Sequence, residues 1–472
     1  MAAVYLSITP EIERLIQDSV GERSVIRDPE RLEEFGKDAG EDARVPHLVV
    51  EAASVEQVQT LLRLANKYHF PVTPRGAGTG LAGGSVPTAG GVVLSLAKMN
   101  RILAIEKDNL IAVVEPGVIN QDLKDAVRRE DLFYPPDPAS LDTSSIGGNA
   151  ATNAGGPSCL KYGTTRDYIL GLEAVLPTGD KIEAGVRTRK GVVGYDLVHL
   201  LVGSEGTLGV ITKLILKLLP HPKAVTTLVA LFPRLTGAME TVTATLVRGY
   251  TPCAMEFLDR RCLDLVGDLL PFEGVETAEA FLLAEVDGPP DGIARDIEAI
   301  GGVCLKHGAI DVLMAPDAIK RNRMWEVRRE VSLRIERSSP LYIPEDVVVP
   351  VGCIADFVSR LPKFEREYGF TIYTFGHAGD GNIHLNITAQ SQTKRGRVEE
   401  GIEAVLKQVL SLGGTISGEH GIGLCKKRFL PLELSKESIQ LQMGIKSLFD
   451  PRMVLNPGKI FPGDILQGLA AS

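Results

Sequence analysis

The stretch Pro74-Arg75-Gly76-Ala77-Gly78-Thr79-Gly80-Leu81-Ala82-Gly83-Gly84-Ser85 follows a predicted strand at 70–74. A loop this rich in glycine leaves space that its own side chains cannot fill. Its successive backbone N–H groups can form an anion-binding nest suited to a pyrophosphate. It is not a P-loop, because no Gly-Lys-Ser/Thr closes it, and it lacks the acidic residue of the usual dinucleotide fingerprint. Taken alone, the motif fits a glycine-rich loop without a ligand equally well.

The sequence before the loop predicts a β-α-β unit. A short strand at 48–52 precedes a helix that Ser54 caps, and apolar residues at 58, 61, 62 and 65 follow helical spacing. Residues 9–40 are predicted to be helical and polar. The pattern after the loop predicts strands at 91–96, 102–105, 110–114, 170–176, 181–183 and 208–218, with a helix at 120–129 and an irregular segment at 137–156.

The second half of the chain alternates strands and helices after a break at His221-Pro222-Lys223. This alternation predicts a second α+β unit. Its elements are strands at 226–231, 254–258 and 281–286, helices at 235–249, 292–305 and 395–412, and a mixed-charge helical run from Arg321 to Arg337.

Composition excludes several classes of protein. With 472 residues, 44% of them apolar and 24% charged, the chain is expected to form two to three globular domains. A net charge of −9 argues against non-specific nucleic-acid binding. None of the six cysteines forms a C-x-x-C pair, so we expect reduced thiols and no iron–sulfur run. No signal peptide or membrane span is expected, which favours a cytoplasmic protein, peripheral to a membrane only through a partner.

Three further segments resemble the first loop in composition and favour a ligand there. They are the small-residue segment at 137–156, Gly203-Ser204-Glu205-Gly206-Thr207-Leu208-Gly209-Val210-Ile211-Thr212, and Asn456-Pro457-Gly458-Lys459. Long irregular segments inside a compact domain are usually functional.

The stretch His377-Ala-Gly-Asp-Gly-Asn-Ile-His384 predicts a metal site together with Gly418-Glu419-His420-Gly421. Two imidazoles and a carboxylate are typical ligands of Zn²⁺ or a similar divalent ion. The spacing suits two strand-end ligands joined by a turn in which Gly379 and Gly381 permit positive φ. His420 is then left beside the metal to move a proton.

Each of these residues has a plainer alternative. His377 alone is more often a structural histidine, although His384, Glu419 and the glycines favour the metal. Asn382 fits a second layer of the metal site or a turn equally well, and Asp380 is most simply a turn former. Trp325 is expected to pack in the core, and Cys425 is expected to be inert.

Together these segments resemble FAD flavoproteins of the vanillyl-alcohol-oxidase type over roughly residues 40–465. The resemblance extends to the D-2-hydroxyacid dehydrogenases of that family, which include D-lactate dehydrogenase, the glycolate oxidase flavin subunit and D-2-hydroxyglutarate dehydrogenase. It implies an α+β fold: a PCMH-type FAD-binding domain of two α/β subdomains, a cap domain with an antiparallel sheet, and a C-terminal segment that returns to the FAD domain. The corresponding ranges are an N-terminal helical segment at 1–41, then 42–221, 222–415 and 416–472.

The resemblance also implies which residues bind FAD. They are Pro74, Arg75, Gly76, Ala77, Gly78, Thr79, Gly80, Leu81, Gly84 and Ser85 at the pyrophosphate; Pro138, Ser140, Ser144, Gly147, Gly148, Asn153, Gly155 and Gly156 along the isoalloxazine and ribityl chain; Glu205, Gly209, Val210 and Ile211 at the adenine end through backbone contacts; and Asn456 and Lys459 beside the flavin. The first loop contains no histidine or cysteine for a covalent tether, so non-covalent FAD is expected.

In the metal-dependent subgroup the ligands match His377, His384 and Glu419, and the catalytic base matches His420. Zn²⁺ is the first expectation, with Mn²⁺ and Fe²⁺ as alternatives. Arg328 matches the arginine that binds the substrate carboxylate, although a solvated helix face is the plainer account of its surroundings. The hydroxyglutarate enzymes carry a lysine near the position of Pro344, which favours a smaller acid here.

The expected activity is oxidation of D-lactate or glycolate, with electrons leaving to an external acceptor. That acceptor is an electron-transferring flavoprotein, a quinone or an iron–sulfur subunit, and a homodimer is an open expectation. Three alternatives remain: D-2-hydroxyglutarate oxidation, a non-redox flavin transferase similar to alkylglycerone-phosphate synthase, and a flavin subunit that only relays electrons.

Overall fold

A computed structural model of the chain describes residues 5–270, 275–315, 317–391 and 395–463. The described residues form two compact units, one from the ranges 1–154, 164–221 and 419–472, the other from 155–163 and 222–418. Two boundaries therefore differ from the predicted domains: residues 155–163 group with the second unit, and the chain returns to the first at 419 rather than 416. The ends of the predicted 1–41 and 416–472 segments, at 1–4 and 464–472, lie outside the described residues.

The helices and strands are numbered in chain order. The α-helices are α1 Pro10–Val20, α2 Pro29–Phe35, α3 Val55–Tyr68, α4 Asn120–Arg128, α5 Ile146–Thr152, α6 Cys159–Tyr162, α7 Leu197–Leu201, α8 Leu235–Val247, α9 Arg260–Val266, α10 Pro290–Lys306, α11 Ala318–Arg337, α12 Ile354–Tyr368, α13 Arg395–Ser411, α14 Leu430–Glu433 and α15 Lys436–Phe449. The β-strands are β1 Val25–Ile26, β2 Leu48–Glu51, β3 Val72–Arg75, β4 Val92–Ser95, β5 Ile102–Glu106, β6 Ile111–Val114, β7 Leu132–Phe133, β8 Ile169–Val175, β9 Lys181–Gly185, β10 Val210–Lys217, β11 Leu219–Pro220, β12 Ala224–Phe232, β13 Ala254–Asp259, β14 Ala280–Gly288, β15 Asp311–Ala315, β16 Leu341–Val348, β17 Thr371–His377 and β18 Asn382–Ala389.

The first sheet of the first unit has the order β1-β2-β4-β3, in which β4 runs parallel to both of its neighbours. The predicted β-α-β unit is present, and Ser54 caps α3 by accepting a hydrogen bond from the Gln57 N–H. α3 buries Leu61 and Leu62 against the sheet, because these residues recur at helical spacing. The glycine loop leaves the carboxyl end of β3, the end at which open α/β sheets usually bind ligands.

The second sheet of this unit is antiparallel, with the order β5-β6-β10-β8-β9. Its strands lie where the sequence predicts them. The expectation of an irregular segment at 137–156 is wrong at α5, which Ser145 caps by accepting from the Gly148 N–H. The capping side chain explains how a run containing two glycines becomes helical.

The second unit is built on an antiparallel sheet with the order β15-β12-β14-β13-β17-β18-β16. One face packs beneath α9 and α11, where Val229 and Phe281 of the sheet meet Val327 and Val331 of α11. α10 covers the opposite face, where Gly301 approaches Leu228. The strands and helices predicted between 226 and 305 are all present.

Across the described ranges, no helix is both long enough and apolar enough to cross a bilayer.

Candidate active site

The β17–β18 hairpin carries the two histidines of the predicted metal site. His377 pairs with Asn382 across the hairpin and His384 pairs with Phe375, so the two imidazoles are diagonal neighbours on one face of the sheet. Their Nε2 atoms lie 3.4 Å apart, and the ring planes are inclined by 82°. The turn therefore brings one nitrogen of each ring to a common point.

The two glycines of this turn are required for different reasons. Gly381 has φ +86°, and a Cβ there would collide with the carbonyl oxygen of Val349. Gly379 does not adopt positive φ, so that expectation is wrong; a Cβ there would instead collide with the side chain of Leu160. Asp380 stabilises the turn, because its Oδ1 accepts the backbone N–H two residues later at 3.1 Å.

Glu419 completes a group of three ligands. His377, His384 and Glu419 offer ligand atoms that all lie within 4.8 Å of one another. Asp346 fixes the preceding residue, because its Oδ2 accepts the Gly418 N–H at 2.6 Å. Two imidazoles and one carboxylate at these separations could hold a divalent ion. His420 follows directly and is half-buried.

Glu256, which the sequence interpretation missed, lies beside this group. It pairs with His377 across β13 and β17 and is fully buried. Its Oε1 is 2.5 Å from His377 Nδ1, and its Oε2 accepts from Arg328 Nε at 2.7 Å. A single carboxylate within the otherwise apolar predicted strand 254–258 was the signal that could have identified it.

Arg328 lies on the buried side of α11 rather than on a solvated face. Its side chain is 12% exposed, and its guanidinium carbon lies 4.5 Å from the centre of the Phe375 ring. Because the Nε atom of Arg328 is bound to Glu256, only the two terminal nitrogens of the guanidinium can bind other partners.

Asn386 is a second residue that the sequence interpretation missed. It lies two residues beyond His384 on the same strand and therefore on the same face of the sheet. Tyr342 donates its hydroxyl hydrogen to Asn386 Oδ1 at 2.7 Å, while the buried Nδ2 has no partner within the described ranges. Burial raises the pKa of Tyr342 to about 12, so this hydroxyl remains a donor.

The glycine loop has the properties of a phosphate cradle. Gly80 and Gly84 have open space where a Cβ would lie, whereas a Cβ on Gly76 would collide with Ser145 Oγ. For the part of the chain described, no protein acceptor receives a hydrogen bond from the N–H groups of 76–81. These donors fit the pyrophosphate that the sequence predicts.

Arg75 holds the loop from its base. Its Nη1 donates to the carbonyl oxygen of Lys37 at 2.5 Å and to Ser85 Oγ at 3.2 Å. Burial lowers the pKa of Arg75, and the nearby carboxylate of Asp38 opposes that effect. The guanidinium is thus used to shape the loop.

Asn456 joins three of the four predicted segments. Its Nδ2 donates to the carbonyl oxygens of Gly84 and Glu205 at 2.9 and 2.8 Å. Asn456 Oδ1 is buried without a partner in the residues described, as are Ser144 Oγ and Asn149 Nδ2. Orphaned buried polar atoms are unusual, and a bound cofactor would satisfy them.

Two predicted flavin contacts are occupied by local partners. The Glu205 carboxylate accepts the N–H groups of Ile422 and Gly423, both at 2.8 Å. Its backbone is engaged as well, because the N–H donates to the Ala151 carbonyl and the carbonyl accepts from Asn456 Nδ2. Lys459 Nζ donates to the Val86 carbonyl and lies 3.5 Å from Thr88 Oγ1. The structure therefore gives Lys459 a role in holding the 86–88 turn.

The remaining predicted residues are distributed as follows. Asn153 ends α5 with φ +52°, and its Oδ1 accepts the Arg166 N–H at 2.8 Å. Pro138 and Ser140 belong to a turn that leads to Ser144. Gly155 and Gly156 are grouped with the second unit, whereas the glycine loop belongs to the first. Ala77, Gly78, Thr79 and Leu81 lie in the loop, and Gly147 and Gly148 lie in α5. Gly209 directly precedes β10, which begins with Val210 and Ile211.

Comparison with known proteins identifies the family. The profile described as "FAD binding domain" matches residues 46–185, and that described as "FAD linked oxidases, C-terminal domain" matches residues 221–460. The chain is 42% identical over 429 residues to the glycolate oxidase subunit GlcD of Bacillus subtilis (strain 168), covering 90% of this chain and 91% of that protein. It is 39% identical over 473 residues to a D-lactate dehydrogenase of Anaerostipes hadrus, covering 97% and 98%.

Solved structures resemble the chain over nearly its whole length. They include p-cresol methylhydroxylase with substrate bound, at a TM-score of 0.79, 17% identity and coverage of 95% of this chain and 96% of that one. Alkyldihydroxyacetonephosphate synthase gives a TM-score of 0.77 at 20% identity, covering 96% and 85%. At such identities the likeness establishes the fold alone, which agrees with the predicted PCMH-type FAD-binding fold.

The fold and the glycine loop thus define a flavoprotein oxidoreductase. The chain belongs to the FAD-linked oxidases, and its relatives include D-lactate dehydrogenases and glycolate oxidase subunits.

Proposed function

We propose that this chain oxidises a D-2-hydroxy acid, D-lactate or glycolate, to the corresponding 2-oxo acid. FAD and a divalent ion at His377, His384 and Glu419 are the proposed cofactors. The observation that carries the proposal is the His–His–Glu cluster, whose ligand atoms lie within 4.8 Å, on a chain of the FAD-linked oxidase family. The names of the relatives support this substrate class.

The reaction removes a hydride from Cα and a proton from the hydroxyl group, which leaves a carbon–oxygen double bond. When bound, FAD would supply the hydride acceptor, and a divalent ion held by His377, His384 and Glu419 would supply a Lewis acid for the substrate oxygen. The proton is assigned to His420, because an imidazole side chain can act as a general base. Its position directly after the ligand Glu419 supports this role.

The substrate carboxylate is assigned to the terminal nitrogens of Arg328. A planar guanidinium can bind a carboxylate through two parallel hydrogen bonds and so fix which face of Cα is presented. The contact from Glu256 to Nε at 2.7 Å and the stacking on Phe375 hold the guanidinium in one orientation. The orphaned Nδ2 of Asn386 is a further donor for the substrate.

The size of the substrate follows from the residue opposite Asn386. Pro344 pairs with Asn386 across β16 and β18, and it supplies no positive charge. A second carboxylate would therefore lack a cation at this position, which favours D-lactate or glycolate over D-2-hydroxyglutarate.

Anaerobic stopped-flow measurement of flavin reduction tests the proposal. The panel is D-lactate, L-lactate, glycolate, D-2-hydroxyglutarate and an alkyl ether phosphate, each with and without a chelator. We expect bleaching by D-lactate or glycolate that the chelator abolishes and that Zn²⁺, Mn²⁺ or Fe²⁺ restores. Bleaching that is insensitive to chelation contradicts the metal role, and bleaching by none of the hydroxy acids contradicts the activity.

The reduced flavin requires an acceptor outside this chain. The sequence contains no C-x-x-C pair for an iron–sulfur cluster. We therefore propose an electron-transferring flavoprotein, a quinone or an iron–sulfur subunit as the acceptor. Adding each class to the substrate-reduced protein and following the return of flavin absorbance distinguishes them.

A further inference from the structure

We infer that Glu256 is a positioning residue for the metal site: it holds His377 in the tautomer and orientation in which Nε2 faces His384 and Glu419. The inference rests on the proposed function, since it concerns the same metal. Glu256 is not one of the three proposed ligands; its inferred role is to orient one of them.

The tautomer follows from the geometry. A neutral imidazole carries one N–H, and a ring nitrogen must be unprotonated to bind a metal. Glu256 Oε1 lies 2.5 Å from His377 Nδ1, so the hydrogen belongs on Nδ1 and is donated to the carboxylate. Nε2 then presents its lone pair, and it is this atom that lies 3.4 Å from His384 Nε2.

Arg328 fixes the other oxygen of the same carboxylate. Glu256 is fully buried, and a buried carboxylate is costly unless both oxygens are bound. Arg328 Nε donates to Oε2 at 2.7 Å, which commits Oε1 to His377. The carboxylate thus connects helix α11 to the hairpin that carries the ligands, and neither oxygen can exchange its partner without leaving a buried charge unpaired.

Glu256→Gln tests the inference on the intact flavoprotein. An amide can accept a hydrogen bond only through its oxygen, so its NH₂ must face either His377 Nδ1 or Arg328 Nε. The metal is removed by dialysis against chelator, and Zn²⁺ affinity is measured by competition with a chromophoric chelator. Loss of an outer partner of a metal-bound histidine typically costs about 10–100-fold in affinity, and we expect a loss of that size with flavin content unchanged.

Glu285→Gln is the matched control. Glu285 lies on the neighbouring strand β14 and the same face, beneath the same helix, where its Oε2 accepts from Trp325 Nε1 at 2.8 Å and from Thr227 Oγ1 at 2.5 Å. The substitution removes a carboxylate from the same layer without altering the bond to His377. We expect its Zn²⁺ affinity to match that of the parent.

A second variant can be measured if Glu256→Gln does not fold. Glu256→Asp retains the charge but is one methylene too short to reach both partners, and a smaller loss of Zn²⁺ affinity is expected. Parent-like affinity in the folded Glu256 variants, or an equal loss in Glu285→Gln, overturns the positioning role while leaving the proposed metal intact. A parent protein that binds no divalent ion overturns both proposals, and flavin reduction in the same samples reports separately on the activity.

Discussion

His420 is the residue on which proton removal depends in the proposed reaction. We predict that His420→Ala slows anaerobic flavin reduction by about 10²–10⁴-fold, the usual contribution of a positioned general base. FAD content should be retained, because the substitution leaves the glycine loop unchanged. The control is His199→Ala, which removes an exposed imidazole 2.5 Å from Asp196. Parent-like reduction by His420→Ala would show that another group takes the proton.

Lys459 provides a prediction about pH. Burial lowers its pKa from 10.5 to about 8. Between those values the unfolded chain binds more protons than the folded one, so the free energy of unfolding should rise with pH across this window. This difference in the pKa of Lys459 corresponds to about 3 kcal/mol of unfolding free energy. Urea unfolding from pH 8 to 10 should show a flatter dependence in Lys459→Met than in the parent, while Lys436→Met, at an exposed site, should follow the parent.

At the scale of elements, the β17–β18 hairpin depends on Gly381 more than on Gly379. Alanine at Gly381 would need φ +86° and would place its Cβ against the Val349 backbone, which cannot move aside easily. We predict a loss of roughly 1–3 kcal/mol in unfolding free energy and a loss of bound metal. Gly379→Ala meets only the side chain of Leu160, so it should cost less and retain metal. Equal effects of the two substitutions would contradict this account of the turn.

The elements that could be predicted from the sequence are those whose formation depends on residues close to them in the chain. The β-α-β unit around α3 carries its own cap at Ser54 and its own apolar spacing, so it needs no other part of the chain. Helix α5 was missed because glycines at 147 and 148 hide its period, and because packing against Pro116 is a tertiary effect. Local propensity is routinely overridden in this way.

The candidate site shows the same division. His377, His384 and Glu419 could be predicted because glycine turns and adjacent polar residues mark them in the sequence. Glu256 could not, because its role depends on the register of a strand 121 residues away from His377. Asn386 was missed because its significance lies in an unsatisfied Nδ2, which only coordinates reveal.

At the scale of the whole molecule, FAD is expected to bind through the first unit of the chain, whereas the two histidine ligands of the proposed metal lie in the second. The glycine loop, Asn456 and the orphaned atoms of Ser144 and Asn149 belong to the first unit, whereas both histidine ligands belong to the second. The loop is held by contacts within its own unit, such as the hydrogen bond from Asn456 Nδ2 to the Gly84 carbonyl. Loss of the metal should therefore leave the flavin in place.

We predict that His384→Ala loses bound Zn²⁺ but retains FAD at the parent stoichiometry. Its flavin should no longer be reduced by the hydroxy acid, while a chemical reductant should bleach it normally. Metal content by elemental analysis and flavin absorbance of the same sample measure the two losses independently. His384 pairs with Phe375 inside the second unit. If the flavin content fell together with the metal content, the β17–β18 hairpin would support the flavin site. That result would contradict the expectation that flavin binding does not depend on the metal.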